Sequence, residues 1–251
     1  MTRSATPADV LAGRARWCVV EGDCADVLRA LPDASVDAVV TDPPYDKRTH
    51  DGARTEKGGE VFAPGIDFAP LDGFGFAADL LRVARRWVVA FCALEQLGAY
   101  QAEAGAAWVR SGIWHKPSCL PQQSGDRPGS GHEGIAIMHR PGRKRWNGGG
   151  RPANWSHVPH LADRAHPTQK PFPLMRDLVG LFSDHGEVIL DPFAGSGTTG
   201  VAALAEGRRV ILCERVPEYA AITRARLAAA EAGTDWRAPA SQPSLFAAVG
   251  S

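Results

Sequence analysis

Val188-Ile-Leu-Asp-Pro-Phe-Ala-Gly-Ser-Gly-Thr-Thr-Gly200 is the stretch whose reading decides the fold. A short apolar run reads as a strand, a glycine-rich turn follows, and a helix starts at the threonines. Gly195, Gly197 and Gly200 have the spacing G-x-G-x-x-G, and Glu214 closes the next apolar run about twenty residues on. Glycines let the backbone approach a ligand closely. The helix start offers free N–H groups, and an acidic side chain at the next strand end can accept hydrogen bonds from ribose hydroxyls. No Lys follows the glycines, which excludes a Walker loop. The pattern therefore predicts an adenosine-containing cofactor, with NAD(P) and S-adenosylmethionine both open.

Working outward, further apolar runs bounded by turn residues lie at Trp17 to Val20, Val36 to Thr41, Trp87 to Phe91 and Val210 to Cys213. Short continuous runs of this kind read as strands buried on both faces of a mostly parallel sheet. Helical patterns alternate with them at Ala25 to Leu31, Phe76 to Val83, Pro173 to Phe182, Thr199 to Ala205 and Pro217 to Ala230. The class is α/β, a Rossmann-like, mostly parallel twisted sheet with helices on both faces. Pro173 and Pro217 fall where a first helical turn tolerates a missing N–H. Two stretches break the alternation: the polar, Gly-rich 46–65 and the Gly-, Pro-, Trp-, His- and Arg-rich 117–165. Loops this long are usually functional or disordered. One domain is expected over 1–231, followed by a flexible tail over 232–251.

Composition bounds the function. The chain has 251 residues, 44% of them hydrophobic and 22% charged, with 28 basic and 28 acidic side chains. That is globular composition at a length that buries one full core, so disorder as the main state is excluded. No apolar run is long enough to span a bilayer, and the first residues lack a basic-then-apolar signal pattern, so the expected location is cytoplasmic. Five cysteines without a CxxC pair fit reduced thiols.

Val39-Val-Thr-Asp-Pro-Pro-Tyr45 ends a second apolar strand with a carboxylate, two prolines and an aromatic ring. Consecutive prolines force an extended exit and hold Asp42 and the Pro43 carbonyl rigidly at the carboxyl edge of the sheet. A rigid pair of acceptors beside an aromatic face suits a planar amine. Thr41-Asp-Pro-Pro-Tyr45, then His166-Pro-Thr-Gln-Lys-Pro171, then Asp191-Pro-Phe-Ala-Gly-Ser-Gly-Thr-Thr199 together resemble the amino-group DNA methyltransferases of adenine-N6 or cytosine-N4 type, in the β order of motifs. The resemblance covers about residues 17 to 230. It places such a protein in prokaryotes or phage, associated with the nucleoid, in the manner of a restriction-modification enzyme.

The resemblance implies roles for particular residues. Asp42 and the Pro43 carbonyl, with Pro44 fixing the exit, would accept hydrogen bonds from the exocyclic amine, and Tyr45 would stack on the flipped base. Phe193, Gly195 and Gly197 would turn around the methionine portion of S-adenosylmethionine, with Asp191 and Thr198 as polar contacts and Glu214 on the ribose. Asp23 would read the adenine amine, with a helix N-cap as the competing reading. Thr168 and Lys170 would meet the cofactor carboxylate, against Lys170 as a solvated charge. Adenine N6 is favoured over cytosine N4, because Ser is frequent in cytosine enzymes where this motif begins with Asp. An NAD(P) oxidoreductase, an RNA amino-methyltransferase and a non-catalytic DNA- or clamp-binding protein are the competing functions.

Charge is unevenly placed along the chain. Residues 110–170 hold ten Lys and Arg against three acids, a formal +7 that the rest of the chain offsets with −7. The region 110–165 therefore reads as a basic insert facing DNA, with Lys116, Arg140, Arg143, Lys144, Arg145 and Trp146 as contacts to phosphates and exposed bases. His115, Cys119, His132, His139, His157 and His160 match no paired ligand spacing, so no metal is expected. Gln242-Pro-Ser-Leu-Phe246 resembles the pentapeptide that docks on bacterial sliding clamps, with a Phe folding back on the domain as the competing reading. DNA is the expected partner, and a homodimer is left open.

Overall fold

The computed structural model describes residues 4–45, 76–117, 125–126, 128–158 and 169–237. Eight strands form one sheet: β1 (Trp17–Glu21), β2 (Val36–Thr41), β3 (Ala84–Cys92), β4 (Trp108–His115), β5 (His132–His139), β6 (Asn154–Ser156), β7 (Val188–Asp191) and β8 (Arg209–Glu214). Their order is β1-β8-β7-β2-β3-β5-β4-β6. The first five in that order are parallel, β5 runs antiparallel to both β3 and β4, and β6 pairs parallel with β4.

Among the described residues the α-helices are α1 (Pro7–Leu11), α2 (Cys24–Ala30), α3 (Phe76–Val83), α4 (Leu97–Ala104), α5 (Phe172–Phe182), α6 (Thr198–Ala205) and α7 (Pro217–Glu231). Alternate residues of the central strands feed two cores. Val40, Val89, Phe91 and Ile137 pack with α5 and α6, whereas Val39, Val88, Met138 and Leu190 pack with α2 and α3. This period-2 division is what a sheet covered on both faces requires. All five helical patterns and all five apolar runs form the expected kinds of element, and Pro173 and Pro217 lie in first turns.

The insert reading of 110–165 is corrected. Gly134-Ile-Ala-Ile-Met138 is the centre of β5, wedged between β3 and β4 and buried from Gly134 onward. Its apolar side chains fill both cores, so the segment is part of the sheet and basic residues occur only around it.

The strand order fixes where a ligand can bind. From β2 the chain moves through α3 to β3 on one side, and from β7 through α6 to β8 on the other. The β2/β7 boundary is thus the topological switch point, where the strand ends leave a crevice. Ala38 pairs with Ile189 and Val39 with Leu190, which brings the residues following β2 beside those following β7.

Candidate active site

Both sequence motifs emerge at that switch point. Thr41 Oγ1 donates to Asp191 Oδ1 at 2.8 Å, and the Phe193 N–H donates to the same oxygen at 3.0 Å, so Asp191 ties β2 to the glycine turn. Asp191 is buried, and desolvation pushes its pKa up to about 6 against the hydrogen bonds from Thr199 and Thr41. Its contribution is to loop shape. Glu214 acts similarly: it accepts the Gly195 N–H and the Val216 N–H, each at 2.8 Å, and burial raises its pKa.

The turn is supported from behind by α7. Thr223 Oγ1 donates to the Gly195 carbonyl at 2.8 Å, and buried Arg226 reaches the Ser196 carbonyl and Thr198 Oγ1. Gly195 has φ +52° and open space where a side chain would begin, so the turn presents bare backbone to the crevice. Gly22, with φ +154° at the end of β1, is equally open. Phe193 sits edge-on to Phe76 with ring centroids 5.1 Å apart. Asp23 Oδ1 accepts the Ala25 N–H at 2.7 Å, so the N-cap of α2 is formed as the competing reading has it.

Asp42 leads into a charged cluster. Lys170 Nζ donates to Asp42 Oδ2 at 2.6 Å and lies 3.1 Å from Glu133 Oε2. Tyr45 Oη donates to Glu133 Oε2 at 2.8 Å and reaches Asp42 Oδ1 at 3.3 Å. Lys116 pairs with the other oxygen of Glu133. The Lys170 side chain is only 8% exposed, its ammonium 4.9 Å from the Phe91 ring centre and 5.6 Å from that of Tyr45. Burial raises the Asp42 pKa and the Glu133 charge adds to that, with Lys170 opposing. Burial also acts to raise Glu133, but Lys170 and Lys116 together outweigh it and hold the carboxyl at about 2.

Several expectations change here. Lys170 is not the solvated charge of the competing reading: its ammonium binds Asp42 and Glu133, because β5 presents a second acid beside Asp42. Neighbouring Gln169 does face the turn, accepting from Ser196 Oγ at 3.0 Å. Thr168 lies outside the described residues, as do Cys119, His160 and Gln242 to Phe246. Glu133 is a site residue that the sequence reading does not single out. The signal for it is an acid at the head of an apolar run, His132-Glu-Gly-Ile-Ala-Ile-Met138, mirroring Asp42 at the foot of one.

The DNA-contact set is split. Lys116 is at the Asp42–Glu133 edge, but Arg140 follows the far end of β5, roughly 23 Å away along the strand. Arg140 Nη1 donates to the Arg82 and Ala84 carbonyls, Arg145 pairs with Asp184 at 2.9 Å, and Trp146 packs on Phe182 at 4.9 Å. Arg143 and Lys144 are exposed on the same segment. The basic run is anchored to the C-terminal end of α5, so Arg140 to Trp146 do not meet Asp42. Among the described residues no group of three or more His, Cys, Asp or Glu is arranged to hold a metal ion.

Comparison with known proteins bears on this geometry. The N6/N4 DNA methylase family model matches residues 97–225, from α4 through most of α7. The chain belongs to this DNA methylase family. The methylase is 29% identical over 250 residues to the putative methylase YubD of Escherichia coli, covering 88% of this chain and 97% of that one. It is 26% identical over 249 residues to the Type II methyltransferase M.HinfI of Haemophilus influenzae, covering 83% and 67%. Among solved structures, TTHA0409, a putative DNA modification methylase from Thermus thermophilus complexed with S-adenosyl-L-methionine, superposes with TM-score 0.56 at 26% identity, covering 86% and 96%. The Rossmann-like methyltransferase fold expected from the strand-helix alternation and the family resemblance is thereby established, and the oxidoreductase reading falls away.

Proposed function

We propose that this DNA methylase transfers a methyl group from S-adenosylmethionine to an exocyclic amine of a base flipped out of DNA, with adenine N6 favoured over cytosine N4. The observation that carries the reading is Asp42 lying beside the glycine turn at the β2/β7 switch point, tied to it through Thr41 and Asp191. The cofactor fits the crevice on structural grounds. Bare backbone at Gly195 and Gly22 leaves room that a Cβ would take up, Phe193 supplies an apolar wall, and a relative of similar fold was solved with S-adenosyl-L-methionine.

Phe193, Gly195 and Gly197 would line the cofactor, while Asp191, Thr198 and Glu214 keep the turn in shape. The bound cofactor supplies a methyl group on a positively charged sulfur, ready to leave as a neutral thioether. The protein's task is then to orient the amine. Asp42 and the Pro43 carbonyl accept its two N–H groups, which turns the nitrogen lone pair out of conjugation with the ring. Tyr45 offers an aromatic face to a base removed from its stack. Asp42 acts by polarising and positioning, and Pro43 and Pro44 keep it from relaxing away. As the N–C bond forms and the C–S bond breaks, the positive charge passes to the amine nitrogen, whose proton is then shed through the Asp42 carboxylate to solvent.

The test is tritiated methyl transfer to unmethylated DNA, followed by modification-sensitive sequencing of DNA from expressing cells. Asp42→Ala is expected to lower transfer at least 100-fold while S-adenosylmethionine affinity by calorimetry stays within about threefold, an effect of the size seen when positioned polar groups are removed. Sequencing is expected to show N6-methyladenine. Wild-type turnover by the Asp42→Ala variant refutes the mechanism, and N4-methylcytosine would reassign the base.

A further inference from the structure

We propose that Glu133 is a positioning residue that takes over Lys170 when a target amine displaces it from Asp42, which in the free chain is occupied by the protein's own ammonium. The inference rests on the methyl-transfer reading of Asp42 and concerns how that carboxylate becomes available.

Asp42 is occupied in the free chain. Oδ2 accepts Lys170 Nζ at 2.6 Å, while Oδ1 lies 3.3 Å from Tyr45 Oη, whose single hydrogen goes to Glu133 at 2.8 Å. A base amine offers N–H donors to the same carboxylate, so it must replace a donor already there. Lys170 in this position stands in for the amine, with nitrogen-bound hydrogens on the oxygen that the amine would use.

Lys170 cannot simply leave. Its side chain is 8% exposed and its ammonium is enclosed by Phe91, Tyr45 and Trp114, so losing Asp42 without another partner would strand a buried charge. Glu133 supplies the alternative. Its Oε2 is 3.1 Å from Lys170 Nζ and already accepts Tyr45 Oη at 2.8 Å, so the ammonium on Asp42 has a second, fixed acceptor within reach. The exchange needs only small side-chain rotations. Lys116, on Oε1, joins Lys170 in keeping the Glu133 carboxylate ionised and holds its other oxygen. Two carboxylates and two ammonium groups make a neutral set, in which a base can enter with Lys170 still paired to Glu133 and the amine N–H groups satisfying Asp42. Glu133 need not touch the base to do this.

The experiment compares wild type, Glu133→Gln, Lys170→Gln and the double variant in single-turnover methyl transfer to unmethylated duplex DNA at saturating S-adenosylmethionine. Calorimetry gives cofactor affinity, and thermal denaturation confirms folding. Glu133→Gln is expected to slow transfer at least tenfold with cofactor affinity within twofold, because Lys170 then has Asp42 as its sole counter-ion. Adding Lys170→Gln is expected to restore at least fivefold of that loss, since nothing cationic remains on Asp42. Glu133→Asp, which keeps the charge but draws it back by one methylene, is expected to fall between wild type and Glu133→Gln and carries the comparison if the Gln variant melts early. A merely structural Glu133 would give additive losses. Wild-type rates in Glu133→Gln, or a double variant no faster than Glu133→Gln, overturn the inference and leave the methyl-transfer reading standing. A wild-type protein that transfers no methyl group overturns both.

Discussion

Asp42 must be ionised to accept an amine, so its titration should be visible in turnover. It faces Lys170 from the segment before α5, Glu133 from β5, Tyr45 from its own exit loop and Asp191 from β7, with Cys92 of β3 and Tyr100 of α4 at the margin and Lys116 on the other oxygen of Glu133. Burial and Glu133 raise its pKa above the ordinary 3.8, and Lys170 opposes them. The sign follows: transfer is lost as pH falls, at a pH above the usual carboxylate range. Removing the Glu133 charge in Glu133→Gln should move this acid limb to lower pH even as the maximal rate drops. Removing the Lys170 charge should move it to higher pH. Single-turnover pH profiles of the three proteins check the order, and coincident limbs would show that Asp42 does not control the rate. Asp42 and Tyr45 are legible in the sequence because two prolines mark a rigid exit from a strand. Glu133 is not, since its meeting with Tyr45 across 88 residues depends on the direction in which β5 enters the sheet.

The strand-turn-helix of residues 188–200 can be read at the level of elements because each local signal agrees with the tertiary outcome. Gly197 shows how tightly. It has φ +80°, a conformation L residues other than Gly resist, and an added Cβ would lie 2.6 Å from Thr223 Cγ2. Two costs therefore add in Gly197→Ala: backbone strain and overpacking against α7. Together they should remove about 2 kcal/mol, roughly 4–8 °C in Tm for a domain of this size. The turn should also lose at least fivefold in S-adenosylmethionine affinity, since Thr223 holds the Gly195 carbonyl. A variant that melts and binds like wild type would show that the turn shifts freely. β4, β5 and β6 are hidden for the opposite reason. Basic, glycine- and proline-rich flanks dominate the composition of 110–165 and conceal one short apolar run, whose burial comes from β3 and β4 on either side.

Zero net charge, once divided by position along the chain, suggests a molecule with one basic face for DNA. The folded arrangement divides it again. Arg145 pairs with Asp184, Arg151 with Asp177, Lys116 with Glu133, and Lys170 with Asp42 and Glu133, so much of the local excess is neutralised within the fold. What stays exposed on the Arg143–Lys144 segment is attached at the end of β5 away from Asp42. Counting charges along the chain cannot show this, because the eight-residue strand β5 carries its two flanks to opposite edges of the sheet. The consequence can be measured. Each neutralised phosphate contributes about 0.9 to the slope of log affinity against log salt, so freeing two phosphates at once would flatten it by roughly 1.8. If the DNA docks on the catalytic edge, Arg143→Ala with Lys144→Ala should change that slope by less than about 0.5, well below the value for one phosphate, and leave the transfer rate within twofold. Fluorescence titration of duplex DNA over a salt series distinguishes the outcomes. A slope flattened by the full two-phosphate amount would mean that the duplex reaches around the sheet to the far end of β5, and that the basic run belongs to the DNA interface after all.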